Sequence, residues 1–137
     1  MLRDHLRDEG FEVDDLGVSS DDPVDYPDVA VELAEDVASG AHERGILVCG
    51  TGIGMAITAN KVPSIRAAQI TDPYSAERAA KSNNANVVTL GSLTVGVETA
   101  KMPVDAFLRS GFSGGRSTTK VAKMDAVDEK YRGHFAG

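Results

Sequence analysis

Ile46-Leu47-Val48-Cys49-Gly50-Thr51-Gly52-Ile53-Gly54 is the stretch on which the fold turns. Four apolar residues in succession, closed by alternating glycines, have the form of a strand buried on both faces that runs into a tight turn. Strands of that kind belong to parallel sheets covered by helices, and the flanking sequence agrees. Upstream, a helix from Pro27 sets Val29, Ala30, Leu33 and Val37 on one face and stops at Gly40. Downstream comes a helix through Lys61, a strand from Ile65 to Thr71, and a helix through Lys81 that Asp72 caps and Pro73 opens. Asn86 to Gly91 reads as another buried strand. A helix from about Val95 to Arg109, interrupted or started by Pro103, precedes the Gly114-Gly115 turn and a final helix to about Tyr131. At the other end, Leu2 and Leu6 mark a helix over residues 1–9 ended by Gly10. Phe11 to Leu16 is a short strand candidate closed by Gly17, and residues 18–26, polar and acidic, form a loop.

Strands alternate with helices four times, which predicts an α/β fold: three α/β/α layers around a doubly wound, Rossmann-like parallel sheet. With 137 residues and no repeat or linker, residues 1–137 make one domain. A four-stranded α/β sheet that opens on a helix looks as if its first strand is absent. The net charge of −7 argues against a nucleic-acid partner, which needs a basic face. A small anion remains admissible, since a helix N-terminus and a few cations can hold one phosphate. Cys49 is the one cysteine, so no disulfide forms within the chain, in keeping with a reducing cytoplasm. No apolar run approaches membrane-spanning length.

In an open parallel sheet ligands bind beyond the carboxyl ends of the strands, and Cys49 to Gly54 occupies such an end. Glycines there let backbone N–H groups approach an oxyanion or phosphate closely. A thiol beside them is expected to have a depressed pKa and to serve as a proton acceptor near neutrality. The alternative is that Cys49 is a small buried hydrophobe and the glycines only permit a turn. A dinucleotide site fails on detail, because Gly50-Thr51-Gly52-Ile53-Gly54 is G-x-G-x-G rather than G-x-G-x-x-G. His5, His42 and His134 fall in no metal-binding spacing, which argues against a metal-dependent reaction. No cofactor is implied.

The glycine run continues into Ala59-Asn60-Lys61-Val62-Pro63 and Ile65-Arg66-Ala67. With Asp25-Tyr26-Pro27, Asp72-Pro73-Tyr74-Ser75-Ala76, Asn83-Asn84-Ala85-Asn86-Val87 and Gly114-Gly115-Arg116, these stretches resemble, in order and over nearly the whole chain, the ribose/galactose isomerase family. That family holds type B ribose-5-phosphate isomerases and galactose-6-phosphate isomerase subunits. The resemblance implies a metal-free aldose–ketose isomerase of a sugar phosphate, with Cys49 moving a proton between C1 and C2 through a cis-enediol(ate). It further implies that amides around Gly50, Gly52 and Gly54 stabilise the oxyanion, and that Thr51 bonds the substrate and helps relay a hydroxyl proton. Tyr26 would line the sugar site, and Asn83 would bind substrate hydroxyls from a neighbouring subunit. Arg116 would hold the phosphate, with Lys120 where a second arginine is frequent; a lysine there is a point charge without bidentate geometry. Read without the resemblance, Tyr26 is a helix-opening staple, Asn83 turn chemistry, and Arg116 and Lys120 a solvated face.

Two departures from the family matter. The family begins with a strand leading into an Asp-His-Ala-Gly-like loop, whereas this chain opens at the following helix. The expectation is a start displaced downstream, or a protein that has lost two site residues. Ribose-phosphate isomerases also carry a ring-opening histidine immediately before the Asn83 position, where this chain has Ser82. A hydroxyl is a poor acid–base at neutral pH, but a tetrose 4-phosphate cannot close a furanose and needs no ring opening. Ser75-Ala76-Glu77-Arg78-Ala79-Ala80 with Ser82-Asn83-Asn84 also resembles the branch acting on tetrulose phosphates. Ribose 5-phosphate and erythrose 4-phosphate therefore both stand as substrates. A non-catalytic subunit of a hetero-oligomer is the competing class, and the resemblance implies a homodimer or a dimer of dimers. Apolar residues on more than one side of the 95–109 helix (Val95, Val97, Met102, Val104, Phe107, Leu108) give one further hint of a partner.

Overall fold

The computed structural model describes residues 2–17 and 25–132. Six helices and three strands run in the order α1 (Leu2–Asp8), α2 (Tyr26–Ala38), β1 (Gly45–Cys49), α3 (Ile53–Ala59), β2 (Ala67–Gln69), α4 (Pro73–Lys81), β3 (Val87–Gly91), α5 (Val97–Leu108) and α6 (Ser117–Arg132). Asp72 accepts the Ser75 N–H at 2.8 Å and thereby caps α4, as its sequence implies. Gly10 and Gly40, at φ +95° and +85°, end α1 and α2. Pro103 lies inside α5 rather than at either end. His134 falls outside the described residues.

All three strands are parallel, in the order β1-β3-β2, with Cys49 opposite Gly91 at the carboxyl edge and Gly45 opposite Val87 at the other. Every residue of β3 is buried, because both faces are covered. On one face α1, α4 and α5 pack Leu6, Ala76, Ala79, Val104 and Phe107 against Val88 and Leu90. On the other, α2 and α3 pack Ala30, Ala34, Val37, Met55 and Ala59 against Leu47 and Val87. This is the expected three-layer, doubly wound arrangement.

The sheet is smaller than the alternation predicts. Phe11 to Leu16 is not a strand. A strand exists only through hydrogen bonds to a neighbour. This segment lies across a cavity of about 550 Å³ from β1, and the Val13 carbonyl accepts from Arg7 instead. The 65–71 strand is likewise trimmed to Ala67–Gln69. Of the apolar residues on the 95–109 helix, Val95, Val104 and Phe107 are buried, while Val97 and Met102 face outward. Core packing thus accounts for much of that helix's apolar cover. No described helix is long and apolar enough to cross a membrane.

Candidate active site

β1 delivers Cys49 to the carboxyl edge of the sheet, half-buried, at the start of the glycine turn. The turn is held from behind at nearly every carbonyl. Cys49 O accepts from Ser92 N at 2.7 Å and Gly50 O from Leu93 N at 3.0 Å. Thr51 O accepts from Gln69 Nε2 at 3.1 Å, and Gly52 O from the buried Thr89 hydroxyl at 2.7 Å. Thr58 Oγ1 donates to Gly54 O at 2.8 Å. In a planar trans peptide the N–H points opposite to its C=O. Tying the carbonyls back therefore turns the amides of Gly50, Thr51, Gly52 and Ile53 outward, away from the sheet. Two of them meet side chains of the turn itself: Gly52 N donates to Cys49 Sγ at 3.3 Å and Ile53 N to Thr51 Oγ1 at 3.3 Å. The result is a thiol and a hydroxyl inside a concavity of N–H groups, at the start of a helix.

The glycines differ in what they permit. Gly52 has φ +81°, and a Cβ on it would lie 2.9–3.0 Å from the Leu90 backbone, so the turn presses onto β3 at that point. Gly54 is bare because the Tyr26 ring, from the first turn of α2, occupies the place of its missing side chain. Tyr26 is thus brought to the Cys49 turn, with half its surface open. Gly50 carries no such restriction; a Cβ there would make an ordinary 3.5 Å contact with Leu93.

Asn83 is elsewhere. It follows α4 and lines a groove of about 470 Å³ at the amino edge of the sheet, with Asn60, Arg66 and residues of α6. Arg116 and Lys120, exposed at the start of α6, are likewise not joined to the Cys49 turn by any described contact. One chain therefore assembles Cys49, Thr51, Gly50, Gly52, Gly54 and Tyr26, and leaves Asn83, Arg116 and Lys120 apart.

Reading the sequence missed Thr89, Gln69 and Gly91 as supports of the turn. A Cβ on Gly91 would sit 2.5 Å from Thr51 Cα. Thr89 had a signal, as a hydroxyl in the middle of an otherwise apolar buried strand; Gln69 had none. Ser82 accepts a 3.3 Å hydrogen bond from Arg78, whose Nε is buried without a partner. His5, Glu9 and Asp105 converge closely enough to share an ion, but His5 Nε2 already lies 3.0 Å from both Asp105 oxygens and Glu9 pairs with Arg109.

Residues 1–124 match the family model described as Ribose/Galactose Isomerase. A ribose-5-P isomerase B of Listeria innocua is 50% identical over 93% of this chain and 86% of its own length. A D-erythrulose-4-phosphate isomerase of Pectobacterium atrosepticum is also 50% identical, over 90% and 82%. The ribose-5-phosphate isomerase B structure from Clostridium thermocellum superposes with a TM-score of 0.89 at 45% identity, covering 93% of this chain and 86% of that one. The chain belongs to the ribose/galactose isomerase family and is a sugar-phosphate isomerase.

Proposed function

We propose that the chain interconverts ribose 5-phosphate and ribulose 5-phosphate without a metal, with Cys49 as the acid–base group. The observation that carries this reading is the turn itself: the Cys49 thiol stands among amides that the tied-back carbonyls point outward. With the open-chain aldehyde seated there, the Cys49 thiolate takes the C2 proton and the electron pair moves onto O1, where the amides stabilise the developing charge. O1 gains a proton to give the cis-enediol. Cys49 then returns its proton to C1 while O2–H is deprotonated, leaving the ketose. Thr51 stands next to the thiol as the hydroxyl relay, and Tyr26 walls the sugar site.

Asn83, Arg116 and Lys120 reach a substrate at Cys49 only from a second copy, so the active species is a homodimer or a dimer of dimers. Ile53 and Ile57, one turn apart and both more than half exposed on α3 beside the Cys49 turn, support an apolar contact there. A free thiol in the site suits a reducing cytoplasm.

One observation favours a second substrate. Ser82 stands where a ring-opening imidazole is expected, and it is engaged by Arg78. A tetrulose 4-phosphate, which never closes a furanose, fits that arrangement, and a relative at 50% identity bears that activity in its name. Turnover of ribose 5-phosphate and erythrose 4-phosphate in the presence of a chelator tests both. A preference for the tetrose of tenfold or more in kcat/KM would assign Ser82 as the mark of an acyclic substrate. Purified chain active alone would also set aside a non-catalytic subunit.

A further inference from the structure

The Cys49 turn has an apolar side chain at each end. At the Gly54 end stands the Tyr26 ring, half open to solvent. At the Gly50 end stands Leu93. Among the described residues, and apart from the chain neighbours of Gly50, Leu93 Cδ1 is the one atom that a Cβ on that glycine would meet. Leu93 is nevertheless 84% exposed, so the core gains little from its side chain. Its backbone, by contrast, is firmly held. Ser92 N donates to Cys49 O at 2.7 Å and Leu93 N to Gly50 O at 3.0 Å, while Thr94 N and Val95 N both close on Gly91 O. A tight turn, where polar residues are the rule, thus fixes one leucine beside the thiol.

The Leu93 N–H is the donor that holds Gly50 O back, and so aims the Thr51 amide outward. The leucine and the donors of the concavity are therefore placed by the same bonds. Amides act more strongly on an oxyanion when water is kept from it, because the local dielectric falls. A thiol that has taken a carbon-bound proton faces a second demand. It must deliver that proton to the neighbouring carbon before the S–H exchanges with solvent. Tyr26 and Leu93, on either side of the amides, stand where apolar cover serves both ends.

We infer that Leu93 is a substrate-contacting residue, the apolar wall opposite Tyr26, which shields the Cys49 thiol and the enediolate from water. This role rests on the proposed one of Cys49. In the shielded course the proton taken from C2 is the one delivered to C1, as the C1–C2 π pair closes on it and O2 gives up its own proton. In the unshielded course the Cys49 proton is first exchanged, one for one, with a proton of the solvent.

The test is turnover of erythrose 4-phosphate and ribose 5-phosphate in deuterated water by the unaltered chain, Leu93→Ser and Leu93→Met, with carbon-bound deuterium read at the initial rate. The unaltered chain is expected to keep part of the substrate's own hydrogen in the product. Leu93→Ser should lower that retained fraction by about threefold or more and kcat by about tenfold, with KM within about threefold and the melt unchanged. Leu93→Met, which keeps the apolar bulk, should recover most of both. Cys49 is the one thiol of the chain, so alkylation of the protein by iodoacetamide reads its cover without any substrate. Leu93→Ser should speed that alkylation by about threefold or more. Full deuteration by the unaltered chain, or a retained fraction that Leu93→Ser leaves unchanged, would overturn the inference. So would an unchanged alkylation rate. Loss of a dimer in Leu93→Ser with no change in the retained fraction would do the same, giving the leucine to a contact between copies. A chain inactive on both sugars fails the Cys49 reading instead, and the alkylation rate then still decides for or against the cover.

Discussion

The Thr89 hydroxyl and the bare Cα of Gly52 meet at one point beneath the Cys49 turn, and both can be tested singly. Thr89→Val keeps the shape but removes the 2.7 Å donor of Gly52 O, which retains only the Ala56 N–H at 3.2 Å. The expected cost is about 0.5–1.5 kcal/mol in a denaturant melt, with kcat falling more than KM rises, because the amides lose their aim before the pocket loses its shape. Gly52→Ala sets a side chain at φ +81° against the Leu90 backbone and is expected to cost about 1–3 kcal/mol. Gly50→Ala, whose Cβ would make only an ordinary 3.5 Å contact with Leu93, should melt near the unaltered chain. At this scale the sequence was readable where chemistry and spacing coincide. The strand-to-glycine turn at Cys49 lies where its spacing put it, at the carboxyl edge of the sheet, and Tyr26, which came from the resemblance, is found against Gly54. Gln69 and Thr89 act through contacts between elements that no local pattern encodes, so only the folded chain discloses them.

Among the elements, α6 meets the amino edge of the sheet with little burial and two polar contacts. Val121 is its one described buried residue, whereas Asp128 accepts Ser64 N at 2.9 Å and Asp125 pairs with Arg66 at 3.2 Å; the 3.1 Å Asp128–Arg132 pair lies within the helix. The Ser64 amide, followed by Arg132, holds the Asp128 carboxyl below its ordinary range. A depressed folded pKa means that the stabilisation is present above the unfolded value and is lost as pH falls through the folded one. Acidification below about pH 4 should therefore loosen α6 first, seen as faster exchange across residues 121–132 while β3 stays protected. Asp128→Ala should produce the same loosening at neutral pH. The helices were legible in the sequence because caps and stops are local: Asp72, Pro73, Gly10 and Gly40 do what their residue types imply. The Phe11–Leu16 strand was not. Its pattern fits a strand, but pattern supplies no partner, and β1 lies across a cavity from it.

For the molecule as a whole, Asn83 and Arg116 lie apart from Cys49, and the proposed dimer is what would join them in one site. Cys49→Ala and Arg116→Ala chains, each inactive alone, should regain part of the activity when unfolded and refolded together, since a mixed dimer carries one intact site. Failure of mixing to restore turnover would confine the site to one chain. The proposed role of Cys49, carrying the proton between C1 and C2, can be measured directly. Conversion of ribose 5-phosphate and erythrose 4-phosphate in deuterated water with chelator, followed by proton NMR for the unaltered and Cys49→Ala chains, measures it. Turnover with deuterium appearing at the carbon beside the carbonyl is expected, as is loss of both by on the order of a thousandfold when Cys49 is alanine and the melt is unchanged. A Cys49→Ala chain that retains turnover within about tenfold of its parent would contradict it.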